Sequence, residues 1–156
     1  MKRIFGRGAV ILSISIAMAT ALAPIGAGRA IAAACSSADI VAGYGQAIAL
    51  LKAKKHGRAL PGLKSLANAG HGPAQRHLAI MLRDGDGIPK SKSGAALWSE
   101  LAFRSGDKAA KSITRKLRAG LDQISRAVLD ERLNSWRVAR LSCNGGKLAA
   151  LPVKAG

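Results

Sequence analysis

The sequence predicts an all-α protein of about six helices that follow an export signal. Apolar residues recur with helical spacing from residue 36 to residue 141, glycines and prolines interrupt them at short intervals, and part of the pattern recurs 36 residues later. Apolar residues spaced three and four apart form one face of a helix, and short turns between helices make antiparallel hairpins. The sequence therefore predicts a repeated helical hairpin.

Residues 1–34 have the three parts of a secretory signal peptide. A basic start precedes an uncharged run over residues 9–28, and two A-x-A sites follow, of which the second ends at Ala34. The uncharged run is long enough for an uncleaved membrane anchor, but Pro24 and two glycines weaken that interpretation. We therefore expect an exported, most simply periplasmic, chain that begins at Cys35 and is soluble, lipid-anchored or released.

The exported chain is strongly basic. Four of the 25 Lys and Arg residues but none of the eight acids lie in residues 1–34, so residues 35–156 carry a formal charge of +13. Such a charge attracts polyanions: acidic proteins, anionic lipids or wall polymers. Nucleic acid is not expected, because the aromatic residues that stack on bases are few and far apart. They are Tyr44, Trp98, Phe103 and Trp136.

The two cysteines, Cys35 and Cys143, lie near the two ends of the exported chain. Outside the cytoplasm they can form a disulfide, which would close a loop of about 108 residues and stabilise the fold by about 4–5 kcal/mol. Alternatively, Cys35 follows three alanines and resembles a lipoprotein cleavage site, at which its sulfur would be acylated. The sequence leaves both possibilities open.

The first three predicted helices begin and end at suitable residues. Ser36 and Ser37 can cap the first helix. Pro61 is tolerated only in the first turn of the second helix, which should end at Gly70. Pro73 suits the first position of the third helix. Their apolar faces are Ile40, Val41, Tyr44, Ile48 and Leu51; Ala59, Leu60, Leu63, Leu66 and Ala67; and Ala74, Leu78, Met81 and Leu82.

The last three predicted helices follow a loop of glycine and proline over residues 85–89. Ser93 should cap the fourth helix, Gly106 should end it, and Asp122 should cap a closing helix over residues 122–141. The inward faces are Leu97, Trp98, Leu101 and Ala102; Ala110, Ile113 and Leu117; and Ile124, Val128, Leu129, Leu133 and Trp136. Residues 35–143 are predicted to be one helical domain, and residues 144–156 a flexible tail.

A 36-residue repeat pairs small residues that let helices approach closely or turn sharply. These pairs are Ala59 with Ala95, Gly70 with Gly106, and Ala74 with Ala110. Two stretches of the chain resemble the Sel1-like repeat family, relatives of tetratricopeptide repeats. The first runs from Gly72 to Ser91 and contains the loop Gly85-x-Gly87-Ile88-Pro89. The second runs from Ala95 to Ala110 and begins Ala-Ala-Leu-Trp.

The resemblance is best over residues 59–118. It implies a short right-handed solenoid of antiparallel helical hairpins that acts as an adaptor for another protein. Some exported members of the family regulate envelope signalling. The chain has Ser91 where the family usually has Asp, and it lacks the cysteine pair inside each repeat of the cysteine-rich members. Properties of those members are therefore not carried over.

Patterns that would indicate an enzyme are sparse. His56, His71 and His77 have no acid or cysteine at the spacing of a zinc site, and His77 is expected to be exposed. Asp84 and Asp86 lack the other ligands of a calcium loop. We therefore expect no cofactor, no metal and no catalytic activity.

Basic residues on the fifth predicted helix form the candidate binding surface. Their spacing places Lys108, Lys111, Arg115 and Arg118 on one face, which Lys116 widens. The face is either a solvated exterior or a docking site for an acidic partner. A second cluster, Lys52, Lys54, Lys55 and Arg58, could extend it.

Tyr44, Trp98 and Trp136 are either core residues or anchors in a binding groove. The leading hypothesis is an exported adaptor or regulator that binds another exported protein through the groove and the basic surface. The alternative is an envelope-associated structural protein that binds anionic lipid or wall polymer through its basic helix faces.

Overall fold

The computed structural model describes residues 35–144 and 147–150. These residues are mostly helical, which confirms the all-α class, and a small antiparallel β-hairpin that was not predicted follows the helices. Residues 1–34, the predicted export signal, and residues 145–146 and 151–156 lie outside the described residues. The elements are α1 (Ser37–Lys52), α2 (His56–Asn68), α3 (Gly72–Asp84), α4 (Lys92–Arg104), a 3-10 turn (Lys108–Ala110), α5 (Lys111–Ala119), α6 (Gln123–Ser135), β1 (Leu141–Asn144) and β2 (Lys147–Ala150).

Polar side chains cap the starts of α1, α3, α4 and α6, whereas no described side chain caps the start of α2 or α5. Ser36 caps α1 in a reciprocal pair of hydrogen bonds with Asp39. The Asp122 carboxylate caps α6 by accepting a hydrogen bond from the Ser125 N–H at 2.8 Å. The prediction of a Ser93 cap for α4 is wrong, because the hydroxyl of Ser91 accepts the hydrogen bond from the Gly94 N–H at 3.1 Å.

Helix α2 starts earlier than its proline suggested. It begins at His56, so that Pro61 lies in its second turn and not in its first. Proline has no N–H to donate to the carbonyl group of Gly57, four residues earlier. Gly57 is exposed, and water can therefore bind this carbonyl group.

The turn between α2 and α3 recurs between α4 and α5. Gly70 and Gly106 both adopt the left-handed conformation, with φ of +83° and +91°. In both turns the glycine N–H donates to the carbonyl group three residues earlier, at 3.0 and 3.1 Å, and the next N–H donates to the carbonyl group five residues earlier at 3.0 Å. Both are helix ends of the glycine type. The same backbone turn thus occurs twice at the predicted offset of 36 residues.

The core consists of two apolar clusters that share Trp98 and Leu117 at their boundary. The paired alanines of the repeat are almost completely buried, which allows adjacent helices to approach closely: Ala59, Ala74, Ala95 and Ala110 are 0–1% exposed. The first cluster is centred on Leu63, Leu66, Leu78 and Met81, and the second on Leu97, Leu101, Leu121, Leu129 and Leu133.

The closing helix differs from its prediction in its face and its length. Leu129 and Leu133 are buried as expected, but Ile124 is 78% exposed and Val128 is 46% exposed. Helix α6 packs on α4 with one side only, so its other apolar residues remain on the outside. The helix ends at Ser135 and not near residue 141, because Trp136 has an extended backbone conformation.

After α6 the chain runs back to α2. The Ala139 N–H donates a hydrogen bond to the carbonyl oxygen of Asn68 at 2.8 Å, and strand β2 packs against α2. The first part of the predicted flexible tail is therefore structured, since residues 144 and 147–150 belong to the β-hairpin. We call residues 136–150, as far as they are described, the C-terminal segment.

A disulfide closes the domain. Cys35, just before α1, bonds to Cys143 in β1, with the two Cα atoms 5.1 Å apart. The bridge ties the C-terminal segment to the start of the first helix. Among the described residues, no helix is both long enough and apolar enough to cross a membrane.

Candidate functional site: a basic face on α5

Packing on α4 determines which side of α5 faces solvent. Ala110, just before the helix, is completely buried, and Thr114 is 8% exposed. The Thr114 hydroxyl donates a hydrogen bond to the carbonyl oxygen of Ser99 in α4 at 2.9 Å. A buried hydroxyl with its partner in place holds one orientation of the helix, because rotation would leave both groups unsatisfied.

The opposite side carries four exposed cations, one in the 3-10 turn and three in α5. We define Lys108, Lys111, Arg115 and Lys116 as the basic face. None of the four forms an ion pair with another described residue. Their charges therefore remain available to an anionic partner.

Arg118, the fifth predicted member, differs from these four. It is partly buried, and one of its terminal nitrogens contacts both carboxylate oxygens of Asp130 in α6, at 2.7 and 2.9 Å. The ion pair joins the last turn of α5 to α6. Arg118 therefore has a structural contact within the fold that the basic face lacks.

An open cleft lies where α5 meets α6. Arg115, Arg118, Ala119 and Arg126 line it, and its volume is about 330 Å³. Arg126 donates a hydrogen bond to the carbonyl oxygen of Ala119 at 3.2 Å. We call these four residues the arginine cleft. Sequence spacing within α5 could not reveal Arg126 as a member, because it belongs to the next helix.

The end of α5 suits a concentration of positive charge. The carbonyl groups at the carboxyl end of a helix give that end a partial negative charge, which stabilises nearby cations. Lys116 and Arg118 lie in this last turn. Several cations held close together attract anions more strongly than separate ones.

The second basic cluster lies on a different pair of helices. Lys52, Lys54, Lys55 and Arg58 are exposed around the turn between α1 and α2. The loop between α3 and α4 packs against the start of α2, where Gly87 is in close contact with His56. The cluster is therefore a surface of the α1–α2 turn and shares no helix with the basic face of α5.

The three candidate aromatic anchors are packed within the fold. Trp98 is partly buried between the two core clusters, and Trp136 packs on the second cluster and lies beside Gly70. Tyr44 stacks obliquely on His71, with ring centroids 4.7 Å apart. These contacts favour the core interpretation of all three over an exposed groove.

A polar cluster surrounds Tyr44. His71 caps α3 by accepting a hydrogen bond from the Ala74 N–H on its Nδ1 atom at 3.2 Å, and burial lowers the pKa of His71. The expectation that His77 is exposed is wrong: its ring lies 6.1 Å from that of Tyr44, and burial, then Arg76, lower its pKa. Arg76 itself pairs with Asp107 at 2.7 Å. This cluster holds the α2–α3 turn and the start of α5 together.

His56 is the remaining histidine. Its Nδ1 atom is buried and has no hydrogen-bond partner among the described residues. Within the part of the chain that the structure describes, no three His, Cys, Asp or Glu side chains are grouped closely enough to hold a metal ion.

Comparison with known proteins does not add a family. No protein family model matches the chain, and no curated protein matches it. The resemblance to Sel1-like repeats therefore stays a prediction from the motif residues.

Proposed function

We propose that the protein is an exported interaction module that binds an acidic partner protein through the basic face of α5. One observation carries the proposal: Lys108 in the 3-10 turn, and Lys111 and Arg115 in the firmly packed α5, are exposed and form no ion pair with any described residue. An unneutralised row of cations costs free energy through mutual repulsion, and an acidic partner removes that cost.

The basic face is a better docking site than the surface of α2 on which the C-terminal segment packs. The C-terminal segment lies on α2, where Ala139 bonds to Asn68 and β2 packs on the helix. Trp98 and Trp136 pack against the core, which makes them less suited than the exposed cations to contact a partner. A Sel1-like scaffold would then present its outer helix, α5, to the partner.

Export to the periplasm is part of the proposal. The Cys35–Cys143 disulfide is compatible with an oxidising compartment, where such bonds persist. Since the sulfur of Cys35 is engaged in this bond, it has no free thiol to acylate. We therefore favour a soluble form over a lipid-anchored one.

A charge-matched pair of triple variants tests the docking site. The first variant changes Lys108, Lys111 and Arg115 to Gln; the control changes Lys52, Lys55 and Arg58 to Gln. Both remove three positive charges from exposed positions. Immobilised oxidised protein is incubated with an envelope extract, and bound protein is quantified by mass spectrometry. We expect the amount of bound partner to fall roughly tenfold for the first variant and to remain unchanged for the control.

The second candidate function is binding of an anionic lipid or wall polymer by an envelope-associated structural protein. The arginine cleft favours it, because guanidinium groups bind phosphate and carboxylate groups well. Treating the extract with protease separates the two functions. Binding that depends on the basic face and disappears after proteolysis supports a protein partner, whereas binding that survives proteolysis but collapses in moderate salt supports the polymer.

A further inference from the structure

We propose that the arginine cleft binds a phosphate monoester, a doubly charged group, at the junction of α5 and α6. The site is distinct from the proposed protein-docking face, because it is completed by Arg118 and Arg126, which lie outside that face. It shares only Arg115 with it.

The charge of the cleft matches a dianion. Three arginine residues line it, and the carboxylate of Asp130, bonded to Arg118, compensates the charge of one of them. The local charge is therefore about +2. A phosphate monoester carries a charge of about −1.5 to −2 at neutral pH, so it balances the cleft. A carboxylate or a phosphodiester, each with one negative charge, would leave one cation uncompensated.

A second acid near the turn is already engaged. The Asp122 carboxylate accepts hydrogen bonds from the N–H and hydroxyl groups of Ser125, at 2.8 and 2.7 Å, and it is not among the lining residues. It acts as the cap of α6 and does not neutralise the arginines through an ion pair.

Two of the three guanidinium groups are held in place before a ligand arrives. Asp130 contacts Arg118 through both carboxylate oxygens, and the carbonyl oxygen of Ala119 accepts a hydrogen bond from Arg126. Each guanidinium group has five N–H donors, so most donors of both groups remain available. Groups that are already oriented lose less conformational entropy on binding.

Arg115 supplies the third donor from the exposed side of α5. It has no ion pair among the described residues, so a ligand need not displace an existing partner. The three oxygens of a phosphate monoester can each face a different guanidinium group, whereas a carboxylate has only two oxygens. The number of ligand oxygens as well as the charge therefore favours the phosphate monoester.

Binding of two small probes to the oxidised exported chain tests the inference. Methyl phosphate is a monoester dianion and dimethyl phosphate is a diester monoanion; each is titrated at neutral pH and constant ionic strength while the Nε–Hε signals of arginine are followed by NMR. We expect saturable shifts at Arg115, Arg118 and Arg126 with methyl phosphate, and roughly tenfold weaker binding of the diester.

Matched variants separate a specific site from general attraction. Arg126→Gln and Lys108→Gln each remove one exposed cation, but only Arg126 lines the cleft. We expect Arg126→Gln to weaken methyl phosphate binding roughly tenfold and Lys108→Gln to change it less than about twofold. If Arg126→Gln fails to fold, Arg126→Lys keeps the charge, and it should still weaken binding because it loses the planar fork.

Vesicles identify the source of the phosphate group. Phosphatidic acid carries a monoester and phosphatidylglycerol a diester, and vesicles of equal surface charge are compared by co-sedimentation. Arg126-dependent preference for phosphatidic acid supports the site with a lipid ligand; methyl phosphate binding without that preference supports it with a soluble or polymer-linked ligand. Equal affinity for monoester and diester, or equal weakening by Arg126→Gln and Lys108→Gln, would overturn the proposal. Arg126 is not changed in the test of the protein-docking face, so the effect of Arg126→Gln fails or succeeds independently of the protein partner.

Discussion

The two glycine turns of the repeat have the same backbone but different surroundings. At the first turn, around Gly70, a Cβ atom would lie 3.6 Å from the side chain of Val138 and 3.9 Å from the ring of Trp136. At the second turn, around Gly106, no described atom other than those of Gly106 and its two chain neighbours lies within 4 Å of that position. The C-terminal segment covers one turn and leaves the other open.

This difference shows how a repeated unit acquires separate roles. The first turn is held by contacts from distant parts of the chain, namely the Ala139 hydrogen bond and the disulfide beyond it. The second turn leads directly into the basic face. One hairpin thus serves the closure of the domain, whereas the other presents a charged surface.

Removing the disulfide should have the largest effect. Replacing Cys35 and Cys143 with Ser frees a loop of 108 residues, which should lower the free energy of unfolding by about 4–5 kcal/mol. Urea denaturation measures the loss. Hydrogen exchange then locates it: the Ala139 amide should lose protection, while amides at the second turn keep theirs. Equal loss of amide protection at both turns would contradict the conclusion that the C-terminal segment holds only the first turn.

Alanine at the two glycines should have a smaller and nearly equal effect. A residue with a Cβ atom in the left-handed conformation costs about 1–2 kcal/mol, and neither position is too crowded for a methyl group. Leucine substitutions should affect the two turns differently. At residue 70 the leucine side chain must displace Val138, at a further cost of about 1–3 kcal/mol, whereas residue 106 has no such neighbour among the described residues. Melting temperatures of the four variants measure this. Equal values for the two leucine variants would mean that the C-terminal segment leaves the first turn easily.

Acid should destabilise the first turn through its histidine cap. Burial lowers the pKa of His71 below 6.5, more than the Asp107 carboxylate raises it, so the unfolded chain binds the proton more readily than the folded one. The stabilisation is complete above about pH 6.5 and is lost as the pH falls through the lowered pKa. The lowered pKa of His77 acts in the same direction.

The measurement is the urea midpoint at about pH 7.5 and pH 5, with His71→Asn as the matched variant. Asparagine can cap a helix but does not titrate, so this variant should depend less on pH. A pH dependence equal to that of the natural protein would assign the effect to other groups, His77 first among them.

Much of the helical structure could be predicted because its signals are local. Gly70 and Gly106 adopt the conformation that glycine favours, and Asp122 caps the helix it precedes. Competing local signals were harder to rank: Ser91 and Ser93 are both good caps, and only the structure shows which hydroxyl group reaches an N–H.

Features that depend on contacts between helices could not be predicted from the spacing of residues along the chain. Helix α6 has apolar residues on two sides, and its sequence does not say that only the side with Leu129 and Leu133 meets α4. Thr114 is polar, yet it is buried because Ser99 of another helix offers a carbonyl group. In the arginine cleft, Arg126 joins Arg115 only through the angle between two helices.

The β-hairpin has a local sequence signal, although residues 144–156 are predicted to be a flexible tail. Its strands pair with Asn144 opposite Lys147, so two glycines connect them, and Asn-Gly-Gly is a typical sequence for a tight hairpin. The strand residues include alanine and serine, which have little preference for strands. The hairpin forms where β2 can pack on α2 and a covalent bond holds β1.

The Cys35–Cys143 bridge also determines how the domain responds to mechanical force. It joins Cys35, just before the first helix, to Cys143 in strand β1 beyond the last helix, so a pull applied between the two ends of the domain passes through the sulfur–sulfur bond. The helices between them bear none of the load. A protein tethered by its ends in a stretched or growing envelope would therefore keep its helical surface folded until that single bond was reduced.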